Sequence, residues 1–471
     1  MSDTATRSGA VERARQYVTD GTFEADLARR VAIPTESQVP EGLPYLARYL
    51  DDEMIPALSA LGFECRVFDN PVAGCGPVLL ATRIEDDSKP TVLGYGHGDV
   101  IRGLDDQWTK GAGPWKTARD GDRLYGRGTA DNKGQHTINI AALKAVMAER
   151  GGSLGFNAKV MIEMGEENGS LGLHELMATH RDAFMADVFI GSDGPRVRPD
   201  RPTLSLGARG AENFDLVCEL REGGHHSGNW GGALADPAAI LSHAIATIVD
   251  KSGAIQVPEW RPPTPSDDVQ VLLSDIELDG GSTGPTIDPT WGEPGLTPAQ
   301  NVYAFNSFAV LAMLSGNPQS PVNAIAPWAR AHCQLRYIAG TDVGDILPAL
   351  RRHLEAHGFS NVEVKPPPPE NGAGFAASRT EHDDPWAQWV KASLGRSSNA
   401  PIAVIPQMGG SICNDLFTDI LGIPAIWVPH SYTGCSQHAP DEHILMPVTE
   451  NAISAMAGLY FDLGEGKTPK A

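Results

Sequence analysis

Six acidic or imidazole side chains fall where apolar runs of this 471-residue sequence stop. They are His97 and Asp99 in GYGHGDV, Asp131 in GRGTADNKG, Glu166 and Glu167 in MGEENGS, and Asp193 in GSDGP. A seventh, His438, follows another apolar run in IPAIWVPHSYTGCSQHAP. Two His, two Asp and two adjacent Glu make a donor set suited to a dinuclear metal site. Imidazole and carboxylate suit zinc, and a carboxylate can bridge two ions. Adjacent glutamates on a turn point different ways, so one can bind metal while the other faces a bound water. An ion lowers the pKa of such a water toward about 7, and a carboxylate can take its proton. Asp99, two residues after His97, is placed to hold the other ring nitrogen and fix the tautomer.

Each fragment alone has a plainer explanation. An HxD pair is usually structural, a Gly-Glu-Glu turn is usually solvated, and an Asp before a helix is usually an N-cap, which is the alternative for Asp131. The joint occurrence, with every fragment at a strand end, points to one crevice. In open α/β sheets ligands bind beyond the carboxyl ends of the strands.

The elements that must position these residues alternate in the first half. Residues 10–30 and 43–61 read as helical, Val78–Ile84 and TVLGYGHGDV as strands, and Gly134–Arg150 as a helix. AKVMIEM follows as a strand, Leu171–Thr179 as a helix and ADVFIGSD as a strand. This alternation predicts a parallel or mixed α/β sheet. After Gly207 the pattern changes. FDLVCEL, DPAAILSHAIATIVD, AHCQLRYI and DILPALRRHLEAHGF read strand, helix, strand, helix, a small α+β sandwich. Pro258–Gly295 reads mainly as an elaborated loop and KPPPPENGAG as a linker, after which IPAIWVP and a closing helix near Thr449–Leu463 return to the first pattern. The expected organisation is one α/β domain, residues 1–207 and 367–471, interrupted by an inserted domain at 208–366.

Charge narrows the partners. With 37 basic and 59 acidic residues the formal net charge is −22. Phosphate binding needs a basic footprint, so nucleic acid is not expected as a partner, nor is an anionic membrane surface. No segment approaches the roughly 18 apolar residues of a membrane span. The N-terminal residues contain no apolar signal region, and the six cysteines are scattered without a CxxC pair. A reducing cytoplasm is the expected location.

HGDV, GRGTADNKG, GEENGS, SDGP and QHAPDEH together resemble the motif series of the metallopeptidase family that includes aminoacylase, succinyl-diaminopimelate desuccinylase, carboxypeptidase G and carnosine dipeptidase. The segment HHSGNWGGALADPAA, preceded by GARG, is similar to the carnosine-dipeptidase branch. The resemblance implies a zinc-exopeptidase-like catalytic domain carrying an inserted α+β lid that makes a homodimer. It implies two divalent ions, zinc first, with manganese or cobalt as alternatives. In this family pattern Asp131 bridges the ions, His97 and Asp193 complete one site, and Glu167 and His438 the other. Glu166 is the general base, supported by Asp99. His226 matches a lid His that crosses the dimer to stabilise the oxyanion. Asn323, Arg336, Gly409, Gly410 and Ser411 match residues around the substrate's carboxylate end.

One departure concerns Gln407, which stands where relatives of this branch often carry Arg. A neutral amide cannot pair bidentately with a carboxylate. The expectation is weaker recognition of a free carboxylate and wider tolerance of neutral substrates.

The function expected is hydrolysis of an amide bond in a dipeptide or N-acyl amino acid. A non-catalytic metal-dependent binding or regulatory protein on the same fold is the alternative. Retention of Glu166 and all five ligands argues against it. Several other patterns are set aside. GxSxG occurs at 151–155 and 280–284, but neither lies in the strand–turn–helix setting a nucleophilic Ser needs. His353 and His357 are spaced to chelate on a helix, yet their charged neighbours indicate a solvated face. His225 and His443 read as structural or peripheral.

Overall fold

The computed structural model describes residues 5–278, 285–366 and 375–469. Strands β1 (Glu64–Phe68), β2 (Val78–Arg83), β3 (Thr91–His97), β4 (Asn157–Glu163), β5 (Val188–Gly191) and β6 (Thr203–Ser205) come first along the chain. Next are β7 (Gly210–Glu219), β8 (Ser307–Leu314), β9 (Trp328–Tyr337) and β10 (Glu363–Lys365), and then β11 (Ala403–Ile405) and β12 (Ala425–Trp427). The helices used below are α1 (Arg7–Thr19), α2 (Lys133–Glu149), α3 (Pro237–Ile248), α4 (Asp267–Leu273), α5 (Ile346–Ala356) and α6 (Met446–Gly464).

The central sheet has the order β1-β2-β4-β3-β5-β12-β6-β11. It is parallel at β4-β3-β5-β12 and at β6-β11, and antiparallel at β1-β2-β4 and where β12 meets β6. Its inner strands β2 to β5 are largely buried on both faces, as a sheet covered on both sides requires, while edge strand β1 is mostly exposed. In β2, Leu79 and Ala81 join the core built with α1, α2 and α6, while Val78 and Leu80 join Phe189, Phe417 and Trp427 on the other side. The expected α/β architecture is thus present.

A second sheet, β8-β9-β7-β10, is antiparallel throughout. The β7–β9 ladder runs without a slip from Gly210 opposite Tyr337 to Glu219 opposite Trp328. Helices α3 and α5 contribute Leu241, Ala244, Leu350 and Leu354 to one core with Phe214 and Leu335. Edge strand β8 instead leaves Val310, Leu311, Met313 and Leu314 exposed.

Two expectations need adjustment. The helix expected over residues 10–30 is broken at Asp20–Gly21, where Gly21 adopts φ +83° and starts a second helix, Thr22–Val31. The stretch from Pro258 to Gly295 contains α4, whose Val269 and Leu273, one turn apart, are buried. The GxSxG at 280–284 and most of the proline run, residues 367–374, lie outside the described residues.

Candidate metal centre

Strands β4, β3 and β5 are adjacent and parallel, so their C-terminal ends open on one crevice. His97 is the last residue of β3. Glu166 and Glu167 open a 3-10 turn three residues after β4, and Asp193 follows β5 by two. Asp131 lies just before α2. His438 arrives on the loop after β12, a tight segment in which Ser436, His438 and Asp441 all take positive φ.

These side chains meet in two groups, His97–Asp131–Asp193 and Asp131–Glu167–His438, whose ligand atoms lie within 4.8 Å of one another in each group. Asp131 belongs to both and offers one oxygen to each. Its Oδ1 is 2.9 Å from His97 Nε2, and its Oδ2 is 3.1 Å from His438 Nε2. His97 Nε2 is 3.7 Å from Asp193 Oδ2, and His438 Nε2 is 3.0 Å from Glu167 Oε2. Two donors held at about 2.1 Å from one tetrahedral ion stand about 3.4 Å apart. The separations here bracket that value, and the donors are the nitrogen and oxygen types zinc accepts. The residues therefore fit two divalent ions sharing a carboxylate.

The electrostatics point the same way. Burial and the neighbouring carboxylates Glu167, Asp193 and Asp131 push Glu166 well above the ordinary carboxyl range. Burial, with the Asp131 charge, raises Glu167 to about 7 and Asp193 to about 6. His438 is lifted to about 11 by hydrogen bonds to Asp131 and Glu167. Burial disfavours the charged form of His97, but Asp131 and Asp99 outweigh it and hold the ring well above its usual value. A crowded acid set of this kind gains most from cationic charge placed among it.

A frame of buried polar groups orients the ligands. Asp99 is buried behind them. Its backbone carbonyl lies 3.1 Å from His97 Nδ1, nearer than its carboxylate at 3.4 Å. The carboxylate instead accepts the N–H groups of Glu166 at 3.2 Å and Glu167 at 3.1 Å and the Ser37 hydroxyl at 2.7 Å. Asp99 thus ties the His97 turn to the two glutamates.

Glu442, to which the sequence reading assigned no role, is the second tie. Its carboxylate accepts N–H groups from Ala130 and Asp131 on Oε1 and from Gly128 and the Arg127 guanidinium on Oε2. Gln437, also unassigned, places Nε2 2.5 Å from Asp131 Oδ2. Both lie inside the quoted motif QHAPDEH, so position beside His438 was their only sequence signal.

A cavity of about 450 Å³ is lined by Glu166, Asp131, Asp193 and His438 on one side and by Arg336, Tyr303, Met408 and Gly409–Ser411 on the other. Arg336 donates to the Ser411 hydroxyl at 2.9 Å. The same pair borders a second chamber of about 770 Å³, which Glu167, Arg102 and His332 also line.

Gln407, Asn323 and His226 line neither chamber. Gln407 is fully buried, and its Oε1 accepts the Ala339 N–H at 2.8 Å, so its side chain packs against the second unit rather than lining the cavity. His226 and Asn323 are both exposed on the short β-ladder that pairs His226 with Ala324, and neither lines the two chambers. Among the set-aside histidines, His443 binds the Tyr432 hydroxyl at 2.6 Å, and His353 binds Thr247 O on the inner side of α5. His353 is buried, which corrects its reading as surface.

The sequence profile of peptidase family M20/M25/M40 matches residues 93–462. Among curated proteins, the mouse Beta-Ala-His dipeptidase is 33% identical over 267 residues, covering 53% of each chain. The Cysteinylglycine-S-conjugate dipeptidase of Corynebacterium striatum is 29% identical over 316 residues, 65% of this chain and 66% of that protein. The chain thus spans about half to two thirds of the length of these relatives. Human carnosine dipeptidase 1 superposes with a TM-score of 0.76 over 97% of this chain and 100% of that one, at 24% identity, a likeness of fold.

Proposed function

The chain belongs to peptidase family M20/M25/M40, and on that premise we propose that it is a dinuclear metal-dependent dipeptidase hydrolysing the amide bond of short peptides. The observation that carries this reading is Asp131, whose two oxygens face two separate ligand groups while Glu166 lines the same cavity. The names of the relatives, Beta-Ala-His dipeptidase and Cysteinylglycine-S-conjugate dipeptidase, support a dipeptide as substrate. N-acyl amino acids present the same amide and the same free carboxylate, and they are the second substrate class to test.

In this proposal His97, Asp131 and Asp193 hold one divalent ion and Asp131, Glu167 and His438 the other. Zinc is the first choice, with manganese or cobalt as alternatives. Bound there, the ions supply Lewis acidity and bring a water's pKa to about 7. Glu166 Oε accepts the proton of the attacking water and returns it to the departing amide nitrogen. Asp99 keeps Glu166 in place through its backbone N–H. Arg336 and the Gly409–Ser411 loop take the substrate's anionic end. Residues 208–366 act as a lid. Its exposed β8 edge is the surface we assign to a homodimer, in which His226 and Asn323 reach the partner's cavity rather than their own. Six free cysteines support a cytoplasmic location, and among the described residues no helix is long and apolar enough to cross a membrane.

Metal analysis of the purified protein, with turnover measured on a panel of dipeptides and N-acyl amino acids, tests the reading. Two ions per chain and dipeptide cleavage that chelation abolishes are expected. Metal retention without turnover on any panel member would favour the non-catalytic alternative.

A further inference from the structure

Arg209 lies just before β7, 5% exposed, against the back of the Gly409–Ser411 loop. Its Nε and Nη2 both donate to the Gly409 carbonyl, at 3.0 and 2.8 Å. Its Nη1 reaches the Ser307 hydroxyl at 3.1 Å and the Phe305 carbonyl at 3.5 Å. Every acceptor is neutral. On the other side of the same loop Arg336 bonds the Ser411 hydroxyl, also a neutral acceptor. Among the described residues no carboxylate forms an ion pair with either guanidinium.

Burying the unpaired Arg209 is costly, and the half-buried Arg336 beside it adds repulsion. Burial, with Arg336 adding to it, lowers the Arg209 pKa to about 9. The arrangement is relieved by an anion, and the cavity that Arg336 and Gly409–Ser411 line gives an anion room. Arg209 does not line that cavity. It acts through Gly409, whose carbonyl oxygen, the atom that would repel a carboxylate, is held against the guanidinium.

We infer that Arg209 is a positioning and specificity residue that makes the Gly409–Ser411 loop favour a substrate with a negatively charged end. It supplies the second positive charge that the sequence reading found missing at Gln407. The inference rests on the hydrolase reading for its substrate and on the geometry above for the residue.

The experiment compares β-alanyl-histidine with its C-terminal amide, and alanyl-alanine with its amide, on the metal-loaded parent, Arg209→Gln and Arg209→Lys. Gln keeps a donor for Gly409 and removes the charge, whereas Lys keeps the charge. The parent should favour the acids through KM. Arg209→Gln should raise KM for the acids by about 10- to 100-fold, the loss expected when a charge-assisted hydrogen bond that positions the loop is replaced by a neutral one, and leave the amides within about threefold. Arg209→Lys should keep the acid preference within about threefold of the parent. A parent that treats acid and amide alike overturns the inference, whether or not the variants fold. So does a Gln variant that loses both equally, the signature of a merely structural role. Absence of turnover on both pairs counts against the hydrolase reading alone. Calorimetric affinities for the same acids and amides then decide the Arg209 inference by the same comparison.

Discussion

The Glu442 carboxylate accepts the backbone N–H of Asp131 at 3.0 Å, so the residue shared by both ligand groups hangs from a side chain 311 positions away. The same carboxylate pairs with Arg127, and both side chains are buried. Glu442→Gln keeps the shape but removes the charge opposite a buried guanidinium. A loss of about 3–5 kcal/mol of stability is expected, because an uncompensated buried charge remains. Urea unfolding of metal-free parent and variant measures it. Metal titration should also show weaker uptake, since the Asp131 loop loses its support. Unchanged unfolding and unchanged uptake would remove Glu442 from the frame of the site.

Glu166→Gln separates proton transfer from metal holding. Gln cannot accept a proton, and Glu166 belongs to neither ligand group. Turnover should fall about 10²- to 10⁴-fold with metal content unchanged. A variant with intact metal and near-parental kcat would assign the base to another residue.

In the second sheet, Asp215 accepts hydrogen bonds from Arg330 and from His332, the latter at 2.8 Å. Burial raises its pKa, but these partners outweigh burial and hold the carboxyl below its ordinary value. A depressed folded-state pKa gives stability that is fully present above the unfolded-state value and is lost as pH falls through the folded one. Asp215→Asn should therefore cost about 1–3 kcal/mol at pH 7. The gap from the parent should close as the pH is lowered below about 4, the ordinary carboxylate value. Unfolding at a series of pH values reads this directly, and a gap independent of pH would contradict the charge argument.

Edge strand β8 exposes Leu311 and Met313 at 54% and 45%, a hydrophobic edge open to another chain. Leu311→Glu with Met313→Glu should shift the protein to monomer in sedimentation experiments. If His226 works across the dimer, kcat should fall by about 10²- to 10³-fold, the cost of one lost oxyanion donor. A monomeric variant with full activity would leave His226 without that role.

Among the candidate ligands, His97, Glu167 and Asp193 were legible because each ends or follows an apolar run, which puts such positions at one end of a sheet, whereas Asp131 shows only as an acid before a helix. Glu442 was not legible because its partners are backbone N–H groups, which leave no mark on the side chains around them. The placement of Gln407 off the cavity was not legible, because an offset of two residues from Gly409 says nothing about which way a side chain leaves the chain. Here Met408 faces the cavity while Gln407 turns to Ala339. Arg209 stood in view within GARG, but its significance depends on Gly409, 200 positions away. Helix α4 was hidden by its length, since seven residues among prolines show only one repeat of a helical pattern. Strand β8 is an apolar run without alternation, and periodicity alone does not separate such a run from a buried helix.

The long separation between Asp131 and Glu442 also sets an order of events during biosynthesis. Chains grow at about 5–20 residues per second, so the Asp131 loop is made roughly 15 to 60 s before the carboxylate that supports it. His438, which completes the second ligand group, is equally late. A nascent chain can therefore assemble His97, Asp131 and Asp193 but cannot finish the paired centre. Under the proposed assignment, uptake of a second ion would wait for the end of the chain, because a ribosome stalled before residue 438 leaves the Asp131–Glu167–His438 group without its imidazole.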